Sequence, residues 1–403
     1  MLSQRRPLAA AGAGADADRQ ALSHRPQGRR KGSHQVPGGL LSPNRALVAA
    51  VAGACALANL VIGARHFLQV PRLSDFMLFY AAATVARQDG WSRLYDLQLQ
   101  AATEVRLDPQ GYFLPFYYPP PVAMLALPFT YLPLIAGYVA WVVLLLIVLA
   151  VTWWLAAPGV GTARLLQLAL AVGLFPLAFG IREGQLVIVV GLGLVVAWRA
   201  ERGGHPVWAG AALSLFGLKP QLAFLVPVAL LVAGHYRMLA GLAIAGGLLA
   251  AASLLIIGAG GAGGWVAAIQ AASRVGQEAY SLRGWLGTSP WVLGLEAAAA
   301  GAALVAAWRH SENLALILGA AVVGSLLATP YLHLQDLSLL LPVGWLAWAA
   351  QPSVALRRFA TAGWLAVNLA LLSGVAAVLV EAAWISWLAA GPSPRCRSRP
   401  GPR

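Results

Sequence analysis

Apolar runs with almost no interior charge follow one another through most of the chain, and they limit the folds it can adopt. The first run extends from Ala46 to Gly63, and the later runs cover 119–133, 134–157, 165–181, 184–198, 206–218, 221–234, 238–258, 290–308, 312–329, 336–350 and 359–389. A membrane-crossing helix needs about 20 predominantly apolar residues and satisfies its backbone polar groups internally. The sequence therefore predicts an all-α fold, a polytopic membrane helix bundle of about ten to twelve spans.

The composition excludes an ordinary soluble protein. Of 403 residues, 59% are hydrophobic and 10% are charged, whereas a soluble domain has about 25% charged residues. The apolar runs leave too little chain for a separate catalytic domain. The two cysteines, Cys55 and Cys396, form neither a disulfide framework nor a metal-binding spacing.

The formal charge of +14 is concentrated at the chain ends. Eight basic residues lie in the first 45 positions and four in the last nine, within segments rich in Gly, Pro, Ser and Ala. We predict disordered basic tails over 1–44 and 391–403 on either side of a transmembrane domain over 45–390. Basic tails beside membrane spans follow the positive-inside bias, so no nucleic-acid partner is expected.

The loop charges predict a topology for the bundle. If the Pro-rich run 119–133 enters the membrane without crossing it, one group of arginines shares the cytoplasmic side with the N-terminus: Arg164, Arg199, Arg202, Arg237, Arg309, Arg357 and Arg358. If 119–133 crosses, these seven arginines lie on the external side, which the positive-inside bias disfavours. The first alternative places the segment 64–118, with its predicted surface helices, and a loop at 259–289 on the external, periplasmic face of a cell (inner) membrane protein.

A polar residue begins the first of these external segments. Ser74 is a plausible N-cap, and apolar side chains follow Asp75 at helical spacing, namely Phe76, Phe79, Tyr80 and Ala83. This pattern predicts an amphipathic helix at the membrane surface. Asp75 in its first turn could accept the proton of an attacking hydroxyl, or it could only cap the helix.

Further polar residues stand at the ends of apolar runs. Lys219 suits the neutralisation of a phosphate, although a lysine at a membrane boundary can also serve only to orient a span. Arg182 and Gln185 belong to a tight turn in which Arg182 could simply pair with Glu183. Gln185 offers an amide to a sugar hydroxyl or a phosphate.

Two later segments supply the remaining candidates. His333 and Asp336 are three residues apart, and they could be an orienting pair, half of a metal site or interface residues without a special role. The predicted loop at 259–289 carries Arg283 among aromatic residues, which suits closure over a saccharide or a lipid phosphate. An ordinary interfacial segment would have the same composition.

The order of several short motifs resembles glycosyltransferase family 87. These motifs are Ser74-Asp75-Phe76 with Tyr80, Leu94-Tyr95-Asp96, Phe116-Tyr117-Tyr118-Pro119-Pro120-Pro121, Gly184-Gln185, Leu218-Lys219-Pro220-Gln221 and Thr329-Pro330-Tyr331. The resemblance implies the GT-C architecture and a mannosyltransferase-like enzyme that uses a polyprenyl-phosphate sugar as donor. It spans roughly 70–340, and it departs from the commoner Gly-Gln-x-Asn turn because Val187 replaces the asparagine.

The resemblance also implies roles for individual residues. Asp75 matches the catalytic base, Lys219 matches a lysine near the donor phosphate, and Gln185 and His333 match polar positions around the site. Arg182, Tyr80, Arg283 and Asp336 complete the candidate substrate-binding set. The expected partners are membrane lipid, the lipid-linked donor and a glycan or glycolipid acceptor. No cofactor is expected, because basic side chains could replace the divalent metal that nucleotide-sugar donors need.

Two other functions remain open from the residues alone. A multi-span transporter would show ionisable residues at mid-membrane and related halves, whereas the polar residues here gather at span ends. A ligase or polymerase acting on lipid-linked oligosaccharides would share the transferase chemistry and differ in its donor.

Overall fold

A computed structural model describes residues 43–68, 75–109, 113–273, 280–350 and 353–390. Within these ranges the chain forms seventeen α-helices and five 3-10 helices, and no β-strand. The prediction of an all-α polytopic bundle is confirmed. The N-cap prediction for Ser74 and the two predicted tails lie outside the described residues, apart from the start of the first helix.

The helices follow one another in chain order with short connections. The α-helices are α1 (Pro43–Leu68), α2 (Asp75–Asp89), α3 (Leu97–Leu107), α4 (Pro120–Ala126), α5 (Leu134–Ala156), α6 (Thr162–Val172), α7 (Phe175–Glu183), α8 (Val187–Arg202), α9 (Pro206–Leu213), α10 (Val226–Val232), α11 (Tyr236–Ala272), α12 (Leu282–Leu286), α13 (Pro290–Arg309), α14 (Leu314–Ala328), α15 (Leu340–Ala350), α16 (Val354–Leu369) and α17 (Val375–Ala390). The 3-10 helices are Trp91–Arg93, Leu127–Tyr131, Ser214–Leu218, Pro220–Leu222 and Leu334–Leu339.

Fewer helices are long enough to cross a membrane than the sequence predicts. In the described part of the chain, four have the necessary length and apolar character: Ala46–His66 within α1, α5, α11 and α13. A fifth is formed if α6 and α7, which meet at 61°, act as one broken span. By length and composition the described helices thus supply four or five candidates against the ten to twelve spans predicted, because several apolar runs fold as shorter helices separated by turns.

Two of the apolar runs each fold as two helical segments. The run 119–133 forms α4 and the 3-10 helix Leu127–Tyr131, and this broken stretch is shorter than the roughly 20 residues that a helical crossing requires. The run 359–389 falls within two helices, α16 and α17, that pack against each other. The membrane side of each segment stays a prediction.

Helix α2 is an internal helix, which corrects the prediction of a surface helix with one apolar face. Every residue from Phe76 to Ala86 is buried. The helix packs against α3, α4 and α5. Its sequence explains the difference, because residues 76–86 carry no charge and such a helix needs apolar neighbours on all sides.

The predicted loop at 259–289 is also corrected over its first half. Helix α11 extends to Ala272, with a kink at Gly258, where φ is +64°. The glycine run after the kink permits close packing: a Cβ on Gly264 would lie 3.1 Å from the Cβ of Tyr95. Gly264 therefore serves a close contact with Tyr95, and the glycine run lies within a helix rather than in a loop. Residues 274–279 of the predicted loop lie outside the described residues.

Candidate functional site

Four polar side chains from distant parts of the sequence meet at one end of the bundle. Asp75 is the first residue of α2, and Gln185 lies in the turn between α7 and α8. Lys219 separates two 3-10 helices, and Asp336 lies in the 3-10 helix Leu334–Leu339. The breaks that shorten these helices are what bring the polar side chains together.

A continuous chain of hydrogen bonds joins the four residues. The Lys219 Nζ donates to Asp336 Oδ1 at 2.6 Å and to Gln185 Oε1 at 2.9 Å. The Gln185 Nε2 donates to Asp75 Oδ2 and, at 3.2 Å, to the Tyr118 hydroxyl. An ammonium can only donate, so it must face the amide oxygen of Gln185. Lys219 therefore sets the orientation in which Gln185 presents its NH2 group to Asp75.

The lysine is enclosed, and its charge already has a counterion. The side chains of Lys219 and Asp336 are 1% and 0% exposed. The second carboxylate oxygen of Asp336 accepts the His333 backbone N–H at 3.1 Å, and Nζ lies 5.8 Å from the centre of the Tyr118 ring. The expectation that Lys219 contacts the donor phosphate stays a prediction. Its direct partners are Asp336 and Gln185.

Asp75 is the partly exposed member of the chain. Burial raises the pKa of its carboxyl group above the usual 3.8, and the Gln185 hydrogen bond and the Lys219 charge act in the opposite direction. A raised pKa makes a carboxylate a stronger base for a hydroxyl proton. The Gln185 amide thus holds one oxygen of Asp75, and the carboxylate stays partly exposed.

The turn that carries Gln185 is pressed against α2. Gly184 adopts the left-handed conformation with φ +79°, and its carbonyl accepts the Trp141 indole N–H at 2.8 Å. The Gln185 backbone N–H donates to the Gly180 carbonyl at 2.8 Å. A Cβ at Gly184 would lie 2.7 Å from the Cβ of Phe76. Glycine is therefore required both by the backbone conformation and by the close approach to α2.

Tyrosines and a histidine surround the four-residue chain. Tyr117 stacks on Tyr118 with ring centres 4.9 Å apart, and Tyr331 forms a hydrogen bond with Tyr117. The Tyr331 and His333 rings meet edge to face at 5.8 Å. Tyr117, Tyr331 and His333 are partly exposed, as Asp75 is. Together they present hydroxyl, imidazole and carboxylate groups beside aromatic rings, which suits the recognition of a sugar.

Sequence reasoning missed the tyrosines as site residues, although the motifs of the resemblance contain all three. Burial raises the pKa of Tyr117 and of Tyr118 well above 10. Both hydroxyls are therefore protonated at neutral pH and can donate hydrogen bonds. The available signal was their place in the sequence. Tyr117 and Tyr118 directly precede the Pro-rich run that begins at Pro119, and Tyr331 directly follows Pro330.

Two predicted substrate-binding residues have other partners. The Tyr80 hydroxyl donates to the Leu132 carbonyl at 2.9 Å. Tyr80 is five positions after Asp75, so its side chain lies about 140° further round the helix and points away. Arg283 forms two hydrogen bonds to the Glu296 carboxylate, at 3.0 and 2.7 Å. Glu296, which lies in α13, therefore balances the charge of Arg283.

Arg182 lies beside the network without entering it. Its guanidinium is 3.4 Å from a Glu183 oxygen and 4.8 Å from the centre of the Phe179 ring. Its backbone carbonyl accepts the Tyr138 hydroxyl hydrogen bond. The part of Arg182 that supports the site is therefore its main chain, which holds the turn.

No group of three or more His, Cys, Asp or Glu side chains that could hold a metal ion occurs among the described residues. Between Asp75 and Asp336, where a cation would balance two carboxylates, the chain places the Lys219 ammonium. Transfer without a metal stays a prediction.

Fold and site together define a membrane protein with a partly exposed carboxylate at one end of a helix bundle. Comparison with protein families matches residues 116–330, slightly more than half of the chain, to glycosyltransferase family 87. The chain belongs to this family and is a membrane glycosyltransferase. No curated protein and no solved structure matches it.

Proposed function

We propose that the protein transfers a hexose from a polyprenyl-phosphate-sugar donor to a lipid or glycan acceptor, with Asp75 as the base. The observation that carries the proposal is the fixed carboxylate of Asp75. It is partly exposed, it accepts a hydrogen bond from Gln185, and burial raises its pKa. The family membership supports transfer over the transporter alternative.

The proposed reaction is a direct displacement. Asp75 takes the proton of the acceptor hydroxyl while the hydroxyl oxygen forms a bond to the anomeric carbon of the donor sugar. The bond from that carbon to the phosphate oxygen breaks, and the polyprenyl phosphate leaves with the electron pair. A single displacement inverts the anomeric configuration, so no second carboxylate nucleophile is required.

The partly exposed side chains suggest how the leaving phosphate is held. Because Lys219 is enclosed and paired, we assign this contact to His333 and the tyrosine hydroxyls of Tyr117 and Tyr331, which are partly exposed beside the network. Such donors stabilise negative charge that develops in the transition state. Mannose is the expected sugar from the family resemblance, and the active site is proposed to face the periplasm.

An Asp75→Asn variant tests the base, with Asp89→Asn as its matched control. Asp89 ends the same helix and is exposed. Transfer is measured from a panel of radiolabelled polyprenyl-phosphate hexoses to lipid and glycan acceptors, and diphosphate-linked oligosaccharides test the ligase alternative. We expect Asp75→Asn to lower turnover by about 10² or more, the usual contribution of a general base. Donor binding and protein yield should be retained.

Wild-type turnover in Asp75→Asn at equal protein levels would remove Asp75 from the reaction. Uptake of free sugar by sealed vesicles, without transfer to any acceptor, would support the transporter alternative instead.

A further inference from the structure

At the end of the bundle opposite Asp75, three arginines surround a pair of adjoining cavities. Arg199 and Arg202 lie in the last turn of α8, and Arg164 lies in the first turn of α6. One cavity of about 530 Å³ is lined by Arg199, Arg202, Trp198 and the end of α5. The second, of about 390 Å³, is lined by Arg164, Arg199, Trp154 and Leu155.

The two adjoining cavities and their three arginines are together called the arginine pocket. Helix α5 gives the distance between this pocket and the candidate active site. Trp141 near its start contacts the turn that carries Gln185, and Leu155 near its end lines both cavities. Fourteen residues of α-helix extend about 21 Å. The arginine pocket is therefore separate from the site around Asp75.

The three guanidinium groups have no carboxylate partner among the described residues. Arg199 donates to the Leu155 carbonyl, and Arg164 donates to the Trp154 carbonyl while its Nε is buried without a hydrogen-bond partner. Arg202 lies 4.7 Å from the centre of the Trp198 ring. The acidic neighbour on α8, Glu201, lies 3.7 Å from His235. Three positive charges thus lie around the two adjoining cavities without a carboxylate to balance them among the described residues.

An apolar stripe on α5 leads to this pocket. Val143, Ile147, Val151 and Trp154 follow at spacings of four, four and three residues, and all four are exposed. Residues at this spacing share one face of a helix. A ligand with a phosphate and an acyl chain could place the phosphate among the arginines and the chain along the stripe. A soluble anion would make no use of the stripe.

From these features we propose that the arginine pocket binds the phosphate of an anionic phospholipid. Arginine forms bidentate hydrogen bonds with phosphate oxygens. Basic pockets between membrane helices bind anionic headgroups. Tryptophan is enriched at the membrane boundary, the depth at which these headgroups lie, and Trp154 lines the second cavity. The loop charges predict this end to be cytoplasmic, the side on which anionic lipids attract basic residues.

The test uses the full chain, purified in a nonionic detergent, and labelled short-chain phosphatidylglycerol. Arg199→Gln combined with Arg202→Gln should weaken binding by about tenfold or more, because hydrogen bonds to charged groups are lost. The matched control combines Arg237→Gln with Arg358→Gln, which removes two exposed charges from the same predicted side. The control should bind as the wild type does. Unlabelled phosphatidylglycerol should compete, and phosphatidylcholine and inorganic phosphate should compete poorly.

Equal weakening in both double variants would show general charge attraction and overturn the proposal. Inorganic phosphate competing as well as the lipid would also overturn it, since it would indicate a soluble-anion site. If the double variant does not elute as a folded protein, Arg202→Gln alone decides, because Arg202 contacts Trp198 and no backbone carbonyl of α5 in the described structure. Unchanged affinity in that variant would count against the site.

Discussion

Replacing Lys219 by methionine separates a structural role from direct donor binding. Methionine keeps much of the side-chain length but leaves the buried Asp336 carboxylate without its ammonium partner at 2.6 Å. Removing one member of a buried ion pair costs about 3–5 kcal/mol, because the remaining charge is uncompensated. The variant also removes the donor to the Gln185 amide oxygen.

A double variant, Lys219→Met with Asp336→Asn, removes both charges. Its stability should return to within about 1–2 kcal/mol of the wild type, since no uncompensated charge is then left in the interior. Its transfer activity should stay low by about 10²-fold, because Gln185 no longer has the contact that orients it towards Asp75, and small misplacements of catalytic groups cost this much. Stability and activity should therefore separate.

Unfolding of the purified variants in one detergent mixture, followed by fluorescence, gives the stability, and transfer from a labelled lipid-phosphate sugar gives the activity. Arg237→Met, at an exposed cation, is the control for the loss of positive charge. If Lys219→Met keeps wild-type stability and only weakens donor binding, the buried-pair argument is wrong. In that case the ammonium contacts the donor phosphate directly.

Three further predictions concern the same region. Gly184→Ala should lower the free energy of unfolding by at least about 1–2 kcal/mol, because φ is +79° and the new Cβ would contact Phe76. Thermal unfolding measures this loss, and an unchanged unfolding midpoint would contradict it. Transfer should rise as pH increases through the raised pKa of Asp75, and Gln185→Ala should move this limb to higher pH in a pH–rate profile, since that hydrogen bond lowers the pKa. Burial raises the pKa of Glu104 from 4.5 to about 7. The folded state therefore binds this proton more tightly than the unfolded state does, and stability should fall as pH rises from 4.5 to about 7. Glu104→Gln should reduce this change, which is measured as the unfolding midpoint at each pH.

The sequence determined the class of fold and the candidate base. Uncharged apolar runs leave helices as the way to satisfy the backbone in a membrane, and Asp75 stands out because it begins an apolar segment. The seventeen helices of the described residues agree with the predicted fold class, and the family membership agrees with the resemblance. Asp75 as the base stays a prediction. Helix length was less predictable, since a Pro or Gly within an apolar run shortens a helix only where neighbouring helices accept the break.

Only the tertiary structure decided which polar residues act together. Lys219, Gln185 and Asp336 are far apart in sequence, and an exposed cation and an enclosed one have the same sequence signature. Packing buried Lys219 against Asp336, and it turned Tyr80 and Arg283 towards other partners. The physical reason is that a charge in a low-dielectric interior must find its counterion there, and chain geometry, which periodicity does not specify, sets which residue is close enough to supply it.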